Sequence, residues 1–274
     1  MANPLQKFFR QPKVFIKLPS SGSYSKPGTF IGDVNHLPVY GMTGMDEIIT
    51  KTPDALLTGE STANVIKSCI PAINDPWELS IIDIVLILSA IRVATYGGNM
   101  HVSSNCNSCG EENDYDIDIN KVIEHYMGLT FDGKVVMDDI VINLRPLNYK
   151  ESTEFNVRSF KLQQQLSQAS AIENQEEQQK IVSSLFNELA KIQAEIFLTV
   201  IESVEANNQI VTERSYIGEW LTNCEKAVYD AIKSQNEKNN TAWAMPTFPT
   251  KCDSCGYESN ITVDLDTSSF FAQA

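Results

Sequence analysis

Two short segments constrain this chain more than any other feature. Cys106-Asn-Ser-Cys109-Gly110 and Cys252-Asp-Ser-Cys255-Gly256 are near copies, and each lies between stretches that alternate polar and apolar residues. A Cys-x-x-Cys turn followed by glycine bends the backbone so that both sulfurs face one centre, and two such knuckles complete a tetrahedral four-cysteine set for zinc. The spacing predicts a zinc ribbon cut by the 142 residues between Cys109 and Cys252. Whatever those residues fold into, they must leave the ribbon and return to it. Four thiolates fill the zinc coordination shell and leave no position for a reactive water, so the expected metal is structural and its binding free energy adds to folding.

Two disulfides, two unrelated buried pairs and a thioredoxin-like redox motif are the competing readings of the same residues. Residues 1–15 hold no apolar core of signal-peptide length, so the expected compartment is reducing and disulfides are disfavoured. Duplication of the knuckle argues against unrelated pairs, and a redox Cys-x-x-Cys opens a helix, whereas strand-like residues follow here. Structural zinc on Cys106, Cys109, Cys252 and Cys255 is the resulting expectation. His101 alternates with Met100 and Val102 in a strand pattern and is expected to be a surface or edge histidine. Cys69 and Cys224 fall on apolar helical stripes and are expected to pack in cores.

The chain carries a net charge of −14 with 42% hydrophobic residues, enough to fill a core. Such a balance repels phosphates and anionic membrane surfaces. The knuckle tips Asn107, Ser108, Asp253 and Ser254 bring no positive charge, so a nucleic-acid-binding or regulatory zinc ribbon is the alternative reading rather than the main one. The most apolar window, residues 81–94, is too short to span a bilayer and contains Asp83, Ser89 and Arg92; it reads as a buried helix. No enzyme is expected. His36 and His125 lack a nucleophile-and-base constellation, the acid pairs Asp138-Asp139 and Glu111-Glu112 suit solvated turns, and Gly97-Gly98 follows a helix, the wrong context for a phosphate loop.

The expected fold class is α+β: a mainly helical body, a split zinc-ribbon β module and an antiparallel helical hairpin inserted in it. The expected division is residues 1–98, short strands followed by helices; 99–120 with 246–269, the two ribbon halves; and 121–245, the helical insertion. Within 46–57, Pro53 must split or kink a helix that Gly59 ends, and Ser61 caps the next. Ser80 with Asp83 three residues on has capping-box spacing, as have Asn148 and Glu151. A strand pair is expected over 134–144. In residues 175–204, Ile181, Leu185, Leu189, Ile192, Ile196 and Val200 recur at three and four, predicting one long amphipathic helix. Ile217, Leu221, Cys224, Val228 and Ile232 predict its antiparallel partner after a turn at 206–209, and the polar stretch 234–240 separates that helix from the tail.

One region goes beyond generic physics. Residues 37–100, particularly Met42, Met45-Asp46-Glu47, Thr52-Pro53-Asp54-Ala55-Leu56, Gly59-Glu60, Ile66-Lys67-Ser68-Cys69, Asp75-Pro76-Trp77 and Ile91-Arg92, resemble the baseplate protein family of contractile-tailed, T-even-like bacteriophages. The opening segment 8–22, FFRQPKVFIKLPSSG, is similar to the start of the same family. The resemblance covers about the first 120 residues. It implies a phage protein of baseplate hub or central-tail assembly, either built in or acting as a chaperone-like factor, present in the host cytoplasm during assembly or in the virion tail. Its implied partners are other hub proteins and the tape-measure protein, with neither nucleic acid nor membrane. The stripe on 181–204 would be an adhesive surface wherever the following helix does not cover it, and Phe270-Phe271 would either dock a partner or pack on the ribbon.

Overall fold

The structure, a computed structural model, describes residues 3–50, 58–137, 139–169, 172 and 174–263. Helices and small antiparallel sheets are mixed along the chain, as an α+β fold requires. The chain divides into two compact units, Met1–Thr130 with Trp243–Ala274, and Phe131–Ala242.

In the first unit, β1 (Pro12–Ile16) pairs antiparallel with β2 (Leu37–Tyr40). Among the described residues, helices α1 (Gly44–Thr50), α2 (Glu60–Cys69) and α3 (Ile81–Tyr96) follow. Helix α3 buries residues on every side, from Ile82 to Ala94, because its sequence offers no polar face. Its own Leu86, Ile87 and Ile91 are at most 1% exposed, as are Ile16, Leu37, Ile66 and Ile70 from elsewhere in the unit.

Its start differs from the expected capping box. The Ser80 side chain makes no cap hydrogen bond. The Asp83 carboxylate instead accepts from Ser20 N (3.0 Å) and Ser20 Oγ (2.5 Å) in a distant loop. Burial pushes the Asp83 pKa up to about 6, against the pull of those two hydrogen bonds. Similarly, α2 is capped by Gly59 in the left-handed region, and Ser61 sits inside its first turn, donating to Ile49 O. The expected kink at Pro53 lies outside the described residues.

Arg10 ties the N-terminal segment to α1 and α2. Its guanidinium donates to Gly41 O (2.6 Å), Ser68 O (2.6 Å) and Ser68 Oγ (3.0 Å), and lies 3.5 Å from buried Asp46. Asp46 also accepts from Thr43 N, Thr43 Oγ1 and Ser68 Oγ. Cys69 is fully buried beside this network, as its stripe predicted, and burial raises its thiol to about 12.

After α3 come the hairpin β3 (Asn99–Asn105) and β4 (Glu112–Asp118), and then helix α4 (Asn120–Met127). The second unit opens with β5 (Lys134–Met137) and β6 (Ile140–Leu144), the strand pair that the pattern predicted. Asp138 lies outside the described residues. Helix α5 (Tyr149–Ala169) begins with the expected capping box: Glu151 N donates to Asn148 Oδ1 (2.8 Å) and Asn148 N to Glu151 Oε2 (3.0 Å).

Helix α6 (Gln175–Val200) stops short of the expected end, and residues 201–204 belong to β7 (Ile201–Ala206). The turn at 206–209 therefore joins β7 to β8 (Gln209–Val211) and does not join two helices. A segment as short as Ile201–Ala206 does not separate the helical from the strand period, and pairing with β6 decides for strand. Arg145 N donates to Val200 O (2.8 Å), and the Arg214 guanidinium donates to Leu198 O (3.0 Å) and Ile201 O, satisfying carbonyls that a longer helix would have used. Helix α6 pairs antiparallel with α5, through Arg158 with Glu195 and Gln178 with Ala169.

The expected partner helix is two helices, α7 (Arg214–Asn223) and α8 (Lys226–Ala242). Cys224 lies half-exposed at the break and not in a core. The polar stretch 234–240 continues α8, where Gln235 and Asn239 donate to Asp132 O. Glutamine, glutamate and lysine are good helix formers, so polarity there did not mean a linker. Val135, Ile142, Leu144, Phe197, Ile201, Val204, Ile217 and Ile232 form this unit's core. The chain ends its described course in the first unit with the hairpin β9 (Thr247–Lys251) and β10 (Glu258–Thr262). The end of the expected second ribbon half, residues 264–269, and the pair Phe270-Phe271 lie outside the described residues.

Candidate metal centre

Each knuckle is the tip of an antiparallel hairpin, the first between β3 and β4 and the second between β9 and β10. The backbone pattern repeats in both. Cys106 N donates to Glu111 O (2.8 Å) and Gly110 N to Cys106 O (2.9 Å); Cys252 N donates to Tyr257 O (2.9 Å) and Gly256 N to Cys252 O (2.9 Å). Gly110 at φ 77° and Gly256 at φ 74° occupy the left-handed region that lets each tip turn back after its second cysteine.

This repetition sets the four sulfurs together although they are far apart in sequence. Sγ of Cys106 is 3.7 Å from that of Cys255, and Sγ of Cys109 is 3.7 Å from that of Cys252. All four lie within 4.8 Å of one another, a group that could hold a metal ion, and none forms a disulfide. A tetrahedron with metal–sulfur bonds near 2.3 Å has edges of about 3.8 Å, so the donor set fits a tetrahedral thiolate centre. The first cysteine of each knuckle is buried and the second is exposed. The centre therefore has an inner side facing protein and an outer side facing solvent.

The electrostatics lead to the same chemistry. N–H groups of Cys109 and Ser108 favour the thiolate of Cys106, and those of Cys255 and Ser254 favour that of Cys252, so both thiols are held below their ordinary value. The Glu111 N–H acts the same way on Cys109, yet hydrogen bonding with Cys255, burial and the other two sulfurs together push that thiol up. Four sulfurs this close resist ionising together, and a cation among them removes the conflict.

A residue that sequence reasoning missed completes the arrangement. Asn113 is buried on β4; its Nδ2 donates to Glu111 O (2.9 Å) in the first knuckle and its Oδ1 accepts from Asp253 N (2.9 Å) in the second. One amide thus bridges both hairpins without using a sulfur. Its signal was legible: Asn113 shares the inward parity of Tyr115 and Ile117, where an amide is out of place unless it has partners. A second link lies further along. Tyr126, 1% exposed on α4, donates through its hydroxyl to Trp243 O (3.1 Å), where the chain re-enters the unit.

His101 is exposed and its Nδ1 pairs with Asp116 across the hairpin, outside the sulfur cluster. His36 stacks on Phe15 with ring centroids 4.5 Å apart, and His125 sets its ring edge-on to Tyr126. Among the described residues, no helix is long and apolar enough to cross a membrane.

A family model described as T4 bacteriophage base plate protein matches residues 40–272. The match starts later than the N-terminal resemblance and runs on past the second knuckle. No curated protein and no solved structure matches the chain.

Proposed function

The chain belongs to the T4 bacteriophage base plate protein family, and from that premise we propose that it is a non-enzymatic tail protein of baseplate hub or central-tail assembly. The family match over residues 40–272 carries this reading. The protein acts as a structural component or as a chaperone-like assembly factor, works in the host cytoplasm during assembly and binds hub or tape-measure proteins. Co-expression with those proteins should yield a stable complex, and mass spectrometry of purified particles should place the chain among tail components or among factors left behind. Deletion of the chain with normal tail assembly, together with no complex, would defeat the proposal.

Within that role we infer that Cys106, Cys109, Cys252 and Cys255 ligate one structural zinc. The duplicated knuckles and the convergence of four sulfurs support this. Zinc bound there supplies a four-thiolate crosslink with no open coordination position. The residues themselves hold the C-terminal hairpin against the β3–β4 hairpin, and Asn113 sets the mutual orientation of the two tips. Purified protein should contain about one equivalent of zinc per chain by elemental analysis. Absence of bound metal under reducing conditions would overturn the assignment.

A further inference from the structure

Charge is distributed along this chain in blocks. Residues 1–32 contain Lys7, Arg10, Lys13, Lys17 and Lys26 and no acid; residues 93–120 contain Glu111, Glu112, Asp114, Asp116 and Asp118 and no lysine or arginine. In a protein of net charge −14, the first block is the anomaly. Arg10 and Lys26 are used within the fold, on Asp46 and Glu78. Among the described residues, no ion pair joins Lys7, Lys13 or Lys17 to a carboxylate, and all three are exposed.

Strand geometry aligns both blocks. Lys13 and Phe15 share the outward face of β1 and Lys17 continues it, while Phe8 and Phe9 extend the exposed surface toward Lys7. On β4 the outward parity carries Glu112, Asp114, Asp116 and Asp118, opposite only Asn105, Ser103, His101 and Asn99 on β3. Like charges two residues apart on a strand lie about 6.8 Å apart, inside the screening length at physiological salt, and they repel. On the acidic face Asp116 pairs with His101 and Asp114 accepts from Ser103 Oγ (2.6 Å), but among the described residues no lysine or arginine pairs with that face and no carboxylate pairs with Lys13 or Lys17. Each belongs to a two-stranded sheet, so β1 and β4 each have one strand neighbour among the described residues.

We propose that the basic outward face of β1 in one copy of this chain docks on the acidic outward face of the β3–β4 hairpin in a second copy. The two surfaces differ, so the contact is head to tail and propagates into a ring or a chain of copies. A nucleic acid would also meet lysines interleaved with aromatic residues, but the overall negative charge and the acidic strand on the same unit oppose it.

Sedimentation velocity of the full-length protein over a range of concentrations tests this. At about 0.02 M salt the chain self-associates reversibly, and at about 0.5 M the association weakens by about tenfold or more. The pair Lys13→Glu with Lys17→Glu, and the pair Asp114→Lys with Asp116→Lys, each abolish association at low salt. Mixing the two variants restores it, because reversed charges meet reversed charges. Zinc content and far-UV circular dichroism verify folding, and the neutral pairs Lys13→Gln with Lys17→Gln and Asp114→Asn with Asp116→Asn replace any variant that fails, each then weakening association. A wild-type chain that stays monomeric at low salt, association indifferent to salt, or a mixture that remains monomeric overturns the proposal. So does lysine-dependent binding of a single-stranded oligonucleotide by a chain that does not self-associate.

Discussion

The two units reach stability by different routes. The second, Phe131–Ala242, is continuous in sequence and closes around an apolar cluster formed by its sheet and by helices α6, α7 and α8. The first is assembled from the two ends of the chain: the C-terminal segment meets the rest of the unit through the Asn113–Asp253 and Tyr126–Trp243 hydrogen bonds, and brings Cys252 and Cys255 within 4.8 Å of Cys106 and Cys109. A continuous unit can rely on burial, since one unbroken stretch of chain supplies all of its strands and helices. A hairpin that returns after an excursion has lost that help from chain connectivity, and specific bonds replace it.

The largest expected effect follows from this contrast. Cys106→Ser or Cys252→Ser, or strong chelation, should release the metal and free the C-terminal hairpin, because binding free energy on the order of 10 kcal/mol is coupled to folding in such centres. Hydrogen exchange should then show protection lost over 99–118 and 247–262 and retained over β5 to β8. Unchanged metal content, or simultaneous loss in both units, would remove the distinction between them.

The mirror experiment is Ile142→Ala. Ile142 is fully buried in the second unit's core, and truncation should cost about 2–5 kcal/mol in transfer and cavity terms. Zinc content should stay at one equivalent while urea unfolds the second unit earlier. If the metal is lost along with the sheet, the units are not independent.

How much of this was legible follows from which signals are local. The knuckles could be read because a turn, its glycine and its two sulfurs lie within five residues, and their duplication named each other as partners. The capping box at Asn148 and Glu151 was legible for the same reason, whereas the equivalent spacing at Ser80 and Asp83 was not decisive. There a loop 63 residues away competes for the carboxylate, and no local pattern records that. Strand β7 was hidden inside a helical stripe because its pairing partner β6 is about 60 residues upstream. Cys224 kept its place in an apolar repeat, but the repeat could not show that the helix breaks at that residue. Local chemistry was readable; competition from distant segments was not.

Asp83 makes a third test, confined to the first unit. Its folded pKa of about 6 exceeds the ordinary 3.8, so its contribution to stability is fully present below about pH 4 and is lost as pH rises through about 6. A displacement of about two units corresponds to roughly 3 kcal/mol at neutral pH, set by burial of the charge. Asp83→Asn keeps an acceptor for Ser20 N without the charge. It should stabilise the first unit by about 1–3 kcal/mol at pH 7 and flatten the pH dependence between 4 and 6 in urea titrations. A destabilised variant at pH 7 would mean that the Ser20 hydrogen bonds outweigh the cost of burial.

The smallest effect separates metal from protein within the clasp itself. Asn113→Ala removes the hydrogen bond that joins the two tips, leaving Asp253 N without its acceptor, and the bond to Glu111 O that orients the amide, a cost of about 1–2 kcal/mol. All four sulfurs stay, so zinc should still bind at one equivalent. Their mutual placement is no longer fixed by the protein, so chelators should extract the metal faster and the Asp253 amide should exchange sooner. The α5–α6 pair and the β5–β8 sheet should be unaffected. If extraction rates in wild type and variant coincide, the sulfurs alone set the geometry and Asn113 serves only to fill the space between the hairpins. If the rates differ while equilibrium zinc content does not, the amide holds the two hairpins in register before the metal arrives, and zinc locks an arrangement that the strands have already prepared.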